Sequence, residues 1–283
     1  MAAAHDHAQL PTGGGSLLVA WQLKNKRVLI VGGGEVASGR LESILGTDVA
    51  AVIVVSPAVG LHPTTQWLID NSDRIIYHDR PFQGPEDLEN IDMVLTAIDD
   101  VEESRRICQM CRSARIPVNV ADIPPSCDFY FGSQIRRGPL QIMISTNGQG
   151  PKLANRIKQH IEGGLPPGVE NAINKVGVLR AKLREIAPGV GGDVSKKRMK
   201  WMSEICATWD LNSLGALNET DIDKLISEGW LKEKIPLQDD YLSQEKNDSS
   251  VWGWLFRYSL TTTVGFLTGV ALVYLSHSLR SHR

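Results

Sequence analysis

The chain has 283 residues, a formal net charge of −2, 42% hydrophobic and 22% charged residues. That is the make-up of a globular protein and excludes a wholly disordered chain, a collagen-like repeat and a polytopic membrane protein. The near-neutral balance of 30 Lys+Arg against 32 Asp+Glu argues against a nucleic-acid binder, and four cysteines are too few for a disulfide scaffold and fit a reducing compartment.

Residues 1–15 are small, polar and Gly-rich and read as a flexible leader without the apolar run of a secretory signal. His5 and His7 within it make at most a weak metal site; a solvated tail explains them better.

Residues 26–31, KRVLIV, form an apolar β-branched run and predict a strand. Gly32-Gly33-Gly34-Glu35-Val36-Ala37 follows, a GxGxxA pattern, then SGRLESIL with helical spacing and a second apolar run over 49–55. Strand, Gly-rich turn, helix, strand is the unit that binds dinucleotides. Gly32 permits the tight turn, Gly34 lets backbone approach a pyrophosphate, and Ala37 lets the helix pack close. The N–H groups of the first helical turn, from Glu35 and Val36 onward, face the phosphate charge. The second strand ends at Ser56-Pro57-Ala58, where such folds usually place Asp or Glu on the ribose.

Short strands are expected at 75–78, 91–98 and 115–122, with a helix over 101–114 between the last two. The alternation argues for a doubly wound parallel sheet in an α/β domain. Thr96 and Ala97 then stand at a strand's carboxyl end, the ligand-binding edge. Cys108 and Cys111 share a face of the 101–114 helix, but no second ligand pair accompanies them, so they read as packing residues and no metal site is expected.

Residues 119–131, NVADIPPSCDFYF, are the most informative. Asp122 directly follows an apolar strand, at the sheet's carboxyl edge. A partly buried carboxylate there can take a proton from a substrate; a turn-capping role is equally compatible with the position. A strand over 140–148 and a helix starting at Gly150-Pro151-Lys152 come next. Arg136 and Arg137, expected in the loop before that strand, and Lys152, Arg156 and Lys158 near the helix start form a set that can receive a polyanion. Amphipathic helices over 169–187, 195–209 and 219–229 suggest a small all-α domain.

Residues 236–257 read as a polar linker. Tyr258–Ser276 is a 19-residue stretch without a charge, flanked by Trp252, Trp254, Phe256 and Tyr274, with a Gly265/Gly269 pair. It is about the length of a membrane span and predicts a C-terminal hydrophobic tail anchor, with the body on the cytosolic face; a core helix is the competing reading.

WQLKNKRVLIVGGGEVA, the VVSP turn, NVADIPPSCDFYFGS and LQIMISTNGQGPKLA, in this order, resemble the fungal sirohaem synthases of the bifunctional precorrin-2 dehydrogenase/sirohydrochlorin ferrochelatase type. The resemblance covers roughly residues 16–235. It implies an NAD-binding Rossmann domain (16–121), a dimerisation and active-site region (122–165), a helical domain (166–235) and a homodimer. It implies oxidation of precorrin-2 with NAD⁺, then insertion of substrate Fe²⁺ to give sirohaem. Asp122 matches the family's Asp used in both steps, and the nucleotide contacts map onto Glu35, Val36, Ser56, Pro57 and Ala58. Asn119, Arg136, Arg137, Lys152 and Arg156 are the residues expected to meet the tetrapyrrole, whose eight carboxylates give the basic set a purpose. Two departures stand out: Gly150 occupies a turn where bacterial relatives carry Ser, and the chain is too short for their methyltransferase domain. Two alternatives are a dehydrogenase without chelatase activity and a non-enzymatic NAD-sensing protein.

Overall fold

The computed structural model describes residues 14–238. His5, His7, most of the leader, and the segment from 239 onward that includes Tyr258–Ser276 lie outside them. Among the described residues no helix is long and apolar enough to cross a membrane. Two compact units share the chain: one holds the residues up to Gly132 together with Ser145–Pro151, the other Ser133–Ile144 and the residues from Lys152 on. The expected central region, 122–165, therefore contributes to both.

In the first unit the strands β1 (Arg27–Val31), β2 (Ala51–Val55), β3 (Ile75–His78), β4 (Met93–Thr96) and β5 (Val118–Val120) form one sheet in the order 3-2-1-4-5. Every neighbouring pair is parallel. The strands read as continuous apolar runs because both faces are covered. Val28 and Ile30 face α1 (Glu35–Leu45), which buries Ala37, Leu41 and Ile44 at i, i+4 and i+7. Leu29 and Val31 face α3 (Val101–Ser113), which buries Ile107, Cys108 and Cys111. Leu29 and Leu95 are fully buried, and truncating either to Ala should cost about 2–5 kcal/mol.

The boundaries follow local chemistry. Asp100 caps α3 by accepting from the Glu103 N–H at 2.9 Å. A further helix, α2 (Pro63–Asn71), which the pattern of apolar residues did not predict, begins with Pro at its first turn and is capped by the His62 ring. Lys26 and the Arg27 N–H both hold Asp92, tying the start of β1 to the entry of β4.

The second unit contains the antiparallel pair β6 (Ser133–Arg137) and β7 (Leu140–Ile144), joined through Gly138 at φ +52°. Arg136 and Arg137, expected in a loop, are thus strand residues. Only Ile135 of β6 is buried, which is why the segment lacks an apolar signature. Helices α4 (Pro151–Gly164), α5 (Val169–Ile186), α6 (Gly192–Thr208), α7 (Leu211–Ala216) and α8 (Glu219–Lys224) complete the unit. Instead of one helix over 219–229, α8 passes into a π-helical turn, Leu225–Trp230. The core here is Leu179, Leu183, Trp201, Ile205, Leu225 and Trp230 with their neighbours. Two of the buried indoles make hydrogen bonds: Trp201 Nε1 donates to Lys234 O and Trp209 Nε1 to Pro236 O. Asn218 and Asp221 form a reciprocal capping box at the start of α8.

Candidate active site

The carboxyl edge of the parallel sheet gathers the residues with chemistry. Gly32 leaves β1 with φ +110° and donates its N–H to Val55 O. A Cβ there would lie 2.1 Å from Ala97 O, so the position excludes any side chain. Gly33 is confined by side chains instead of backbone: its Cβ would meet Leu61 Cδ2 at 2.1 Å and Ser56 Oγ at 2.9 Å. Gly34 differs, because a Cβ there meets nothing within 4 Å. It is the N-cap of α1 and supplies no side chain to its N–H groups. That open, uncapped helix start is the cradle an incoming pyrophosphate would fill. Glu35 and Val36 are exposed at its lip, and Ala37 is buried against the sheet.

Thr96, at the end of β4, is 2% exposed, and its Oγ1 has no hydrogen-bond partner among the described residues. A buried hydroxyl left unpaired costs about 1–3 kcal/mol, a cost that a bound polar ligand removes. Ala97 is fixed beside it through its N–H to Val31 O. Cradle and orphaned hydroxyl together fit a dinucleotide. The β2 turn is more engaged than its sequence suggests. Ser56 is buried, its Oγ reaching Pro57 O at 3.3 Å, and its carbonyl accepts from Tyr77 Oη. Pro57 and Ala58 are exposed, and the Ala58 N–H donates to Asp79 Oδ1 at 2.6 Å. A carboxylate does stand at this end of the sheet, but it comes from β3's exit instead of the β2 turn.

Asp122 lies just past β5 with φ +58°, a left-handed conformation that Asp tolerates better than most residues. It is exposed, which corrects the expectation of partial burial. The N–H of Ala121 donates to Thr96 O, setting Asp122 next to the β4 exit. The chain then returns along β5: Asp128 N–H donates to Val118 O, Asp128 Oδ2 accepts from the Val118 N–H, and Arg112 grips Asp128 Oδ1. Asp128 is thus structural. Cys127 Sγ donates to Val120 O at 3.1 Å, and burial pushes its thiol pKa up, with Arg40 opposing.

Asn119, expected to meet substrate, is 4% exposed and donates its amide to Phe129 O at 2.8 Å. It holds the 127–131 segment in place beneath the edge. Phe129 stacks edge-on against Trp21 and lies 5.9 Å from Phe131. The Arg40 guanidinium of α1 sits 4.1 Å over the Phe131 ring, within electrostatic reach of Cys127 and Asp122. No local pattern marks Arg40, since its ring partner is 91 positions away; Gly33 was visible as a Gly but its confinement was not.

The basic set belongs to the second unit. Arg137 donates to Glu162 O at the end of α4 and is structural. Arg136 projects from the opposite face of β6, and Lys152 and Arg156 are exposed one turn apart on α4. Cys108 and Cys111 are buried, and burial pushes the Cys111 pKa up to about 12. Among the described residues no group of three His, Cys, Asp or Glu could hold a metal.

Three family models match successive parts of the chain. Residues 19–133 fit a putative NAD(P)-binding family model, 137–163 the sirohaem biosynthesis protein central model, and 166–236 the corresponding C-terminal model. The solved structure of "SirC, precorrin-2 dehydrogenase" superposes with a TM-score of 0.55 at 21% identity, over 75% of this chain and 98% of that one, which shows a shared fold. A siroheme biosynthesis protein of Saccharomyces cerevisiae is 33% identical over 75% of this chain and 88% of its own length. A siroheme biosynthesis protein of Schizosaccharomyces pombe is 48% identical over 84% of this chain and 89% of its own length, and with that extent of identity the chain belongs to the fungal family of sirohaem biosynthesis proteins.

Proposed function

We propose that the chain oxidises precorrin-2 to sirohydrochlorin with NAD⁺ and then catalyses insertion of Fe²⁺ to give sirohaem. The observation that carries this reading is Asp122, an exposed carboxylate held past β5, beside the exit of β4 where Thr96 keeps an unpaired buried hydroxyl. The nucleotide, when bound, supplies the hydride acceptor. Gly32 and Gly33 shape the turn, Gly34 leaves room for the pyrophosphate, and the start of α1 meets its charge. Thr96 and Ala97 would border the nicotinamide. Asp122 accepts the proton lost as the substrate carbon gives up hydride, so precorrin-2 and NAD⁺ become sirohydrochlorin, NADH and a proton. In the second step the same carboxylate receives pyrrole N–H protons while Fe²⁺ enters the ring. The four pyrrole nitrogens are the ligands of the iron, so the protein needs no metal site of its own.

NAD⁺ is favoured over NADP⁺ by Asp79. Its carboxylate holds the Ala58 N–H at the β2 turn, where a ribose lands, and would repel a 2′-phosphate. Arg136, Lys152 and Arg156 are the exposed cations proposed to receive substrate carboxylates, in a homodimer. The uncharged stretch Tyr258–Ser276 is proposed as a tail anchor, placing the body on the cytosolic side; a membrane pellet that holds the full chain but not residues 1–250 would bear this out, and recovery of both in the soluble fraction would end it.

The activity is tested by following absorbance after mixing the purified chain with precorrin-2 and NAD⁺, and then adding Fe²⁺. NAD⁺-dependent conversion followed by an Fe²⁺-dependent change is expected. Conversion without NAD⁺ dependence would overturn the cofactor assignment, and an absent second phase would leave a dehydrogenase alone.

A further inference from the structure

Arg40 is half-buried on α1, yet among the described residues no carboxylate lies within ion-pair distance of it and no hydrogen bond is made by its guanidinium. Its contacts are a cation–π approach to Phe131 at 4.1 Å and longer-range attraction to Asp122. A guanidinium taken partly out of water without a counter-ion is costly. Burial indeed pulls the Arg40 pKa down, with the Asp122 carboxylate opposing. Arginines of α3 do not share that condition: Arg112 is spent on Asp128 and Arg106 on Glu103. The Phe131 ring, packed on Phe129, which in turn meets Trp21, lies 4.1 Å from the Arg40 guanidinium carbon and takes none of its N–H donors by a hydrogen bond.

We propose that Arg40 is a substrate-binding residue whose guanidinium takes one peripheral carboxylate of the tetrapyrrole by a bidentate pair, setting the ring against Asp122. This rests on the reading that the substrate is a polycarboxylate tetrapyrrole. A planar fork held by an aromatic face suits a carboxylate better than a lysine ammonium would. The attachment also fixes orientation: with one edge of the macrocycle held beside Asp122, one carbon of the ring is presented to the base.

The test uses the full chain carrying Arg40→Gln or Arg40→Lys. Losing the charge-assisted pair in Arg40→Gln should raise KM for precorrin-2 about 10- to 100-fold, while kcat changes only a few-fold. Arg40→Lys, which keeps the charge but not the fork, should fall between the parent and Arg40→Gln. NAD⁺ affinity, read by tryptophan fluorescence, should be unchanged in both, showing that the edge remains folded. A second arm measures binding of uroporphyrin, another octacarboxylate tetrapyrrole, by fluorescence quenching in the absence of NAD⁺. The parent should bind it at least tenfold more tightly than Arg40→Gln. Equal KM values, or equal uroporphyrin affinities, would overturn the assignment. If the parent failed to oxidise precorrin-2 yet the uroporphyrin difference held, the activity would fall and the Arg40 site would stand; if the parent neither oxidised precorrin-2 nor bound uroporphyrin, both would fall.

Discussion

Substituting Gly34 by Ala separates the nucleotide cradle from the fold that builds it. Gly34 has φ −74° and ψ −168°, ordinary extended backbone for Ala, and its Cβ would meet no atom within 4 Å. The unliganded protein should therefore keep its stability to within about 0.5 kcal/mol. The added methyl does project into the space through which a pyrophosphate approaches, and a loss of roughly 30-fold in NAD⁺ affinity is expected, about 2 kcal/mol. Thermal shift reads the difference directly. At an NAD⁺ concentration of 100 times the parent Kd, the parent gains about 2.7 kcal/mol, whereas a 30-fold weaker variant gains only about 0.9 kcal/mol. Gly32→Ala is the control. It combines a 2.1 Å approach to Ala97 O with φ +110°, and should cost about 3 kcal/mol or more before any ligand is added. Equal NAD⁺ stabilisation of Gly34→Ala and parent, or an unliganded Gly34→Ala as unstable as Gly32→Ala, would refute the placement of the pyrophosphate.

Three further outcomes follow from the same geometry. Asp79→Asn removes the charge beside the β2 turn and should narrow the preference for NAD⁺ over NADP⁺ about 10-fold, measured as the ratio of kcat/KM values; an unchanged ratio would show that Asp79 only orders Ala58. Asp87 is paired to Arg80 through two hydrogen bonds and its carboxyl is held below its ordinary value, first by that pairing. Its folded pKa lies below its unfolded one, so the stabilisation is complete above the unfolded value near pH 4 and is lost as pH falls through the lower, folded value; Asp87→Asn should cost about 1–2 kcal/mol at neutral pH and flatten the acid limb of a stability–pH curve. Cys108 and Cys111 should resist iodoacetamide at pH 8 in the native protein and react after unfolding, and rapid native labelling of Cys111 would contradict its burial and raised pKa.

The first unit was largely legible because its signals are local. The β1–turn–α1 run carries apolar continuity, positional glycines and a helical stripe within 20 residues, and each of these has one physical reading. Strand β6 was hidden because Ser133–Arg137 has a single buried residue; pairing with β7, not its own pattern, makes it a strand. Helix α2 carries little local signal because its cap is a His, an uncommon choice, and only Thr65 is buried along it. At the site, the position of Asp122 follows from the end of an apolar strand, but its exposure does not. Asn119 is polar and sits in the same run, yet its amide turns inward to Phe129 O. Arg40 and Asp79 act through partners 91 and 21 positions away, and such pairings exist only once the sheet order is set.

The proposed role of Asp122 in two proton transfers at one edge is open to a direct measurement. Asp122→Asn keeps shape and removes the base, so a single preparation should be assayed twice, with precorrin-2 and NAD⁺ and then with sirohydrochlorin and Fe²⁺. Both rates should fall about 10²- to 10⁴-fold while NAD⁺ affinity is retained. Oxidation and iron insertion at parental rates would contradict the central claim, and loss of one alone would assign the other to a different group.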